Sequence, residues 1–153
     1  MPPVDALRFI MDFFGGIAAG GLVAVTIYAV GLRELPPELR GRIHSRFHPL
    51  THRTMQTSTI VAAIAAILVG ILDDPGWHAY TVFAFAGVLG VLPQAIISRF
   101  WLVPMSDDMI EWEQKGVPAS HLEFLRSWTL LHLGRVVGAV GAFVCYLLST
   151  LLR

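Results

Sequence analysis

The sequence predicts an all-α integral membrane four-helix bundle, with short amphipathic surface helices in its first and third connections. Two observations carry this prediction. Of 153 residues, 55% are apolar and only 14% charged, too few charges to clothe a water-soluble domain of this size. Crossing a bilayer takes roughly 20 mostly apolar residues, and such stretches recur at about residues 9–32, 49–72, 78–101 and 121–152. They consume most of the chain, which implies a single transmembrane domain over 1–153 with no separate soluble one.

The first span is too long for a signal peptide, carries Asp12 near its start and lacks a small-residue cleavage site after a short apolar core, so it reads as a retained helix. Its "GGIAAGG" run (Gly15 to Gly21) puts small residues four apart, which lets membrane helices approach closely. Gly134, Gly138 and Gly141 give the fourth span the same property. In the first connection, Pro36 and Pro37 suit the opening turn of a helix, so "PPELRGRIHSRF" is expected to lie as a short helix on the membrane surface. His48 precedes Pro49, and a residue before proline is driven out of the helical region. The chain should therefore turn there, with Pro49 opening the second span and His52 in its first turn.

In the third span, Pro93 followed by Gln94 predicts a kink, as a pocket wall or as plain packing. Ser106 before "DDMIEWEQKG" reads as the N-cap of a second surface helix that Gly116 ends, and Pro118 then starts the fourth helix. Asp107, Asp108, Glu111 and Glu113 read as the solvated face of that piece and a match for arginines of the first connection; the alternative is a metal ligand or base among them. Cys145 is the lone cysteine, which excludes an internal disulfide and suits a buried small residue.

Charge distribution sets an orientation although net charge is zero. Arg33, Arg40, Arg42, Arg46 and Arg53 crowd the first connection, and Arg99, Lys115 and Arg126 flank the third; the other side has Arg8 and Arg153 beside Asp73 and Asp74. By the cation bias of cytoplasmic loops, both long connections should be cytoplasmic and both termini external. Nothing in this balance suggests a nucleic-acid partner.

The polar residues inside the spans carry the chemistry. Trp128, His132 and Arg135 share one helical stripe, with His121 two turns earlier on that face. An ionisable group within a span is a functional candidate because leaving it unpaired costs several kcal/mol; a structural arginine bound to helix-end carbonyls is the plainer alternative. Asp12 is offset from Arg135 by on the order of 10 Å along the bundle, too far for a direct pair. His44, His48, His52, His121 and His132 gather at one end, and His78 sits at the other beside Trp77 and Tyr80. Neutral imidazoles suit copper or iron, so His44, His48, His52 and His132 are candidate metal ligands, with the bend at His48 as the condition for their convergence. Three alternatives stay open: histidines that move protons, a haem held by His52 and His132, and no cofactor at all, with histidines and arginines meeting lipid headgroups.

On its glycine-rich first helix, "RIHSRFHPL", "WLVPMSDDMIEW" and "WTLLHLGRVV", the chain resembles the anthrone oxygenase-like family of small four-helix membrane proteins. That family typically shows a Val-Pro-x-Asn element after the third span and Trp-x3-Asn-x2-Arg in the fourth. Here the corresponding residues are Val103, Pro104 and Ser106, then Trp128, His132 and Arg135, so both asparagines are replaced. The resemblance implies an oxygenase or oxidase acting on a hydrophobic aromatic substrate, anthrone- or phenol-like, that enters from lipid. His132 or His52 would move the proton, Arg135 and Trp128 would hold anion and ring, and oxygen would meet the carbanion or a histidine-bound metal. The competing class is a non-enzymatic assembly, transport or partner-binding subunit. The expected partners are a hydrophobic small molecule, the bilayer and, through the glycine faces, a second copy of the chain.

Overall fold

In the computed structural model, residues 3–73 and 76–153 are described; Asp74, of the expected acidic pair, lies outside them. The chain forms α1 (Pro3–Gly31), a 3-10 turn (Leu32–Glu34), α2 (Pro37–Leu72), α3 (Ala79–Ile97), a π-helical turn (Ser98–Leu102), α4 (Val103–Lys115) and α5 (His121–Leu151), with no strand among the described residues. Four continuous helical stretches, Pro3–Glu34, Pro37–Leu72, Ala79–Lys115 and His121–Leu151, are long and apolar enough to cross a membrane. The protein is an integral, multi-pass four-helix bundle.

α1 packs on α2 and α5, and α3 packs on the same two, so α1 and α3 sit diagonally. The centre is built from small side chains: Ala18, Ala19, Ala62, Ala65, Ala66, Ala84, Ala139 and Ala142 are buried, while Ile27, Leu89 and Val137 point outward. Lipid is as apolar as leucine, so large side chains gain little by turning inward, and small ones let helices close up for dispersion and weak backbone contacts. Tyr146, wholly buried, fills the space that Gly15 and Gly87 leave open. A Cβ on Gly138 would meet the Gly90 carbonyl oxygen at 3.0 Å, which is why α5 can approach α3 so closely. Gly20 and Gly141 have nothing within 4 Å to crowd and face open space, unlike the other glycines of their stripes. Cys145 is only half-buried.

Two expected breaks are absent. α2 runs through Pro49 without interruption for 36 residues, about 54 Å at 1.5 Å per residue, well beyond a ~30 Å hydrocarbon core. The segment expected as a separate surface helix over residues 36–47 is therefore continuous with the second span, as the first part of α2. Each half of α2 has its own anchorage: Ala62, Ala65 and Ala66 pack with Met11 and Tyr146, and Gly41 brings the other half against α4, where an added Cβ would sit 3.1 Å from backbone atoms of Met109 and Glu113. These contacts outweigh the lost hydrogen bond at Pro49, and Thr51 donates to the Phe47 carbonyl at 3.0 Å nearby.

The second absent break is at Ser106. It caps nothing and lies buried within α4, which starts at Val103 with Pro104 in its first turn and continues α3 through the π-helical turn. Wide turns of this kind often mark functional positions. Gly116, at φ +85°, ends α4 as expected, its N–H donating to the Trp112 carbonyl at 3.1 Å. α5 begins at His121, after a turn in which the His121 N–H donates to the Pro118 carbonyl at 3.1 Å.

A second core caps this end of the bundle, with Leu32, Leu102, Met109, Trp112, Leu125 and Trp128 packed together. Arg40, expected as a surface cation, is buried and donates to the Leu35 and Arg33 carbonyls at 3.0 Å each, tying down the α1–α2 connection. Glu113 approaches Arg42 at 3.9 Å, and Glu111 pairs with Lys115 at 2.7 Å. At the opposite end Arg8 is 3% exposed. It pairs with Asp73, donates to the Ser149 carbonyl and lies 5.2 Å from the Tyr80 ring centroid. Arg153 pairs with Asp5.

Candidate functional site

Between α1, α2, the π-helical turn, α4 and α5 lies a cavity of about 40 Å³ lined by Tyr28, His44, His48, His52, Ser106, Trp128, His132 and Arg135, among others. The three predicted residues of α5 do share a face: Trp128 and His132 stand edge to face with ring centroids 4.4 Å apart, and Arg135 follows one turn on. From α2, His44 also meets Trp128 edge to face, 5.3 Å away. Tyr28 of α1 stacks on His44 at 6.4 Å.

The unbroken helix through Pro49 decides how the histidines of α2 are arranged. They stand one turn apart as a row, with ring centroids 5.0 Å apart for His44–His48 and 5.3 Å for His48–His52. His44 is the deepest, 1% exposed, while His48 and His52 are half-buried. The bend that was to fold these rings round one ion is not formed. No group of three or more His, Cys, Asp or Glu side chains among the described residues is arranged to hold a metal ion, so the structure does not show the copper or iron donor set expected of His44, His48, His52 and His132. His121 stands apart, with Nδ1 2.8 Å from the Pro118 carbonyl oxygen. Asp12 lies at the opposite end, among the surroundings of Arg8 and Thr150, and is not a partner of Arg135.

The cavity wall is rich in polar atoms with no hydrogen-bond partner among the described residues: Tyr28 Oη, both ring nitrogens of His44, Trp128 Nε1, His132 Nδ1 and Arg135 Nε. Trp128 is 1% and His132 4% exposed. Buried polar groups are nearly always satisfied, so this concentration of unpartnered ones among the lining residues makes the cavity the candidate functional site. Five residues, His52, Met55, Ser98, Val103 and Arg135, also border a second and much larger space. This is a mainly apolar groove of about 450 Å³ between α2 and α3, walled in part by the exposed Ile60, Ile64 and Ile67.

Sequence reasoning missed Tyr28, which no spacing rule links to α2 or α5. The Val-Pro-x-Ser stretch did carry a signal, because Val103 and Ser106 both line the cavity.

No curated protein and no solved structure matches the chain. A sequence profile describing anthrone oxygenase matches residues 45–145. That match runs from Ser45, within α2, to the last third of α5 and takes in His48, His52, the π-helical turn, Trp128, His132 and Arg135. Covering well over half of the sequence, it shows that the chain belongs to the anthrone oxygenase family.

Proposed function

We propose that the protein is a membrane oxygenase that converts the activated methylene of an anthrone- or phenol-like aromatic to a carbonyl. The observation that carries this reading is the shared border: His52 and Arg135 stand between an apolar groove of ring size and a small polar cavity. Ligand pockets of a few hundred Å³ suit drug-sized molecules, and the 450 Å³ groove is of that order. The 40 Å³ cavity takes only something as small as dioxygen or water.

The reaction balances as a methylene plus dioxygen giving a carbonyl plus water: the carbon loses two hydrogens and gains one oxygen atom, and the other oxygen atom leaves as water. His52, at the border, takes a proton from the methylene, whose electron pair delocalises onto the ring oxygen as an enolate. The guanidinium of Arg135 holds that developing charge in a poorly screened setting, where fixed dipoles and charges act most strongly. The carbanion carbon then forms a C–O bond to dioxygen, which is reduced to a peroxide. Trp128 Nε1–H and an imidazole N–H of His132 or His44 donate to the peroxide oxygen. The proton taken by His52 passes to the terminal peroxide oxygen; cleavage of the O–O bond then releases hydroxide as the carbon loses its second proton, and that proton joins the hydroxide as water, leaving the carbonyl. The histidine row does not gather a metal donor set, so no step is routed through one. The cation-rich end, which holds the site, faces the cytoplasm in this reading.

Oxygen uptake by the purified, lipid-reconstituted protein on anthrone tests the proposal. One dioxygen consumed per quinone formed, above the spontaneous rate, is the expected result. A folded protein with no uptake over background on anthrone or simple phenols would overturn it.

A further inference from the structure

Among the helix pairs α1–α2, α1–α5, α3–α5 and α2–α3, the last is the most loosely packed, and the larger groove lies there. On α2 its lining runs from His52 to Ile67, about 22 Å at 1.5 Å per residue. Halving a bilayer of roughly 40–45 Å, headgroups included, gives about 20–22 Å per leaflet. The groove is thus as long as one lipid. Its charged residues, Arg99 and Arg135, stand at the His52 end; the remainder is walled mainly by Ile60, Ala63, Ile64, Ile67 and Val91. Ile60, Ile64 and Ile67 on one wall and Ala95 on the other are exposed, so lipid reaches both walls. An apolar space left empty there would forfeit dispersion contacts along its lining.

Two cations flank the mouth at one depth. Gln94 Nε2 donates to Thr59 Oγ1 at 3.4 Å, which fixes the register of these antiparallel helices. Toward the cation-rich end, Arg53 lies about 9 Å along the axis from Thr59 and Arg99 about 7.5 Å from Gln94. Arg53 continues the stripe of Gln56, Ile60 and Ile64 at helical spacing, and Arg99 lines the groove itself. Both are exposed, and neither forms an ion pair with a described residue. Trp101, exposed on the same turn as Arg99, is a side chain of the kind that sits at headgroup depth.

We infer that this groove seats one acyl chain of an anionic phospholipid from the leaflet at the cation-rich end, with the phosphate between Arg53 and Arg99 and the chain running past Ile60 to Ile67. A zwitterionic lipid would fill the same wall but bring its own cation to a doubly cationic mouth. A free phosphate would meet the cations and leave the wall bare. The inference holds whether or not the protein is an oxygenase, since it concerns the occupant of the groove before an aromatic displaces it.

Binding alone tests this. Dioleoyl phosphatidylglycerol and dioleoyl phosphatidylcholine are each titrated onto the delipidated full-length protein in detergent micelles, and native mass spectrometry gives the constant for the first lipid bound. The wild type should prefer phosphatidylglycerol by roughly 25-fold, about fivefold for each arginine. Combining Arg53→Gln with Arg99→Gln should bring that ratio close to one with phosphatidylcholine binding unchanged. Arg126→Gln, which removes an exposed cation of the same end, should leave the ratio intact. Ala63→Trp and Ala95→Trp fill the groove from opposite walls and should each weaken binding of both lipids by roughly tenfold, the worth of about two buried methylenes; elution profile and helical circular dichroism identify the folded variants. No preference in the wild type, a preference kept in the double variant or lost in Arg126→Gln, or undiminished binding in either folded tryptophan variant overturns the inference. A protein that discriminates in this way but consumes no oxygen removes the oxygenase reading and leaves the lipid site standing. Turnover of anthrone without lipid preference does the reverse.

Discussion

Arg135 offers the most direct quantitative handle on the proposed chemistry. It lies within α5, three residues past His132, its Nε is unpartnered, and it forms no ion pair with a described residue, so its charge is not already spent on a carboxylate. In Arg135→Gln the shape is roughly kept and the charge removed. A unit charge about 4 Å from a developing enolate is worth about 4 kcal/mol at an effective dielectric near 20. Water reaching the cavity halves that to about 2 kcal/mol, so the expected range between the wet and the dry cavity is about 2–4 kcal/mol, or roughly 30- to 700-fold in kcat at 1.4 kcal/mol per tenfold. The loss should fall on kcat, because the neutral substrate gains nothing from the charge before it ionises. The assay is steady-state oxygen uptake on anthrone, with binding of neutral anthraquinone measured in parallel. Arg135→Lys, which keeps the charge on a shorter and differently shaped head, should recover part of the rate. A loss below about threefold, or one confined to KM, would refute the assignment of Arg135 to the anionic transition state.

Four further outcomes follow. His52→Asn should lower kcat by about 10²- to 10⁴-fold, the usual contribution of a general base, and oxygen uptake at saturating anthrone measures it. His48→Phe, which keeps a ring but removes both nitrogens, should slow turnover about tenfold with anthraquinone binding unchanged; rapid-mixing kinetics separate the two. Dialysis against a strong chelator should leave oxygen uptake within about twofold, since the α2 histidines stand in a row and do not converge; activity lost and then restored by copper or iron would contradict this. Arg8→Ala should remove the buried Arg8–Asp73 pair and the bond to the Ser149 carbonyl, leaving Asp73 with Arg153 at 4.0 Å, and so cost less than the roughly 3–5 kcal/mol of a fully broken buried pair, seen as a lower thermal unfolding midpoint.

The architecture was legible because hydropathy and helix length are local properties: four apolar runs leave few alternatives in a bilayer. Helix continuity was harder to read. Pro49 and Ser106 carry local signals for a break and a cap, and both lose to packing, one to contacts on either side of the proline, the other to burial of Ser106 within α4. Arg8 and Arg40 were read as loop charges because nothing local shows that Asp73, Ser149 or the Leu35 carbonyl will fold against them. In the site, Trp128, His132 and Arg135 were readable by spacing on one helix. Tyr28, Gln94 and Thr59 become meaningful only when α1, α2 and α3 are brought together. The order of the α2 histidines also depended on the fold: His44 looked furthest from the bundle and is the one most deeply enclosed, because α4 and the start of α5 build a second core round it.

That ordering bears on where the proton goes in the proposed reaction. Converting a methylene and dioxygen to a carbonyl and water releases no net proton: both hydrogens leaving carbon end on oxygen. An enzyme of this kind needs a route from the carbon it deprotonates to the peroxide it must protonate, and little exchange with bulk solvent. The histidine row has those two ends. His52 borders the groove where the methylene would lie, and His44 stands against Trp128, beside His132, in the cavity proposed for the oxygen. The intervening spacings of 5.3 Å and 5.0 Å are ones that proton transfer crosses through one water. A straight helix, which prevents three histidines from sharing an ion, is the arrangement that sets them out at even steps between two spaces. The continuity through Pro49 thus weakens the metal-centre expectation and favours proton transfer by the same residues.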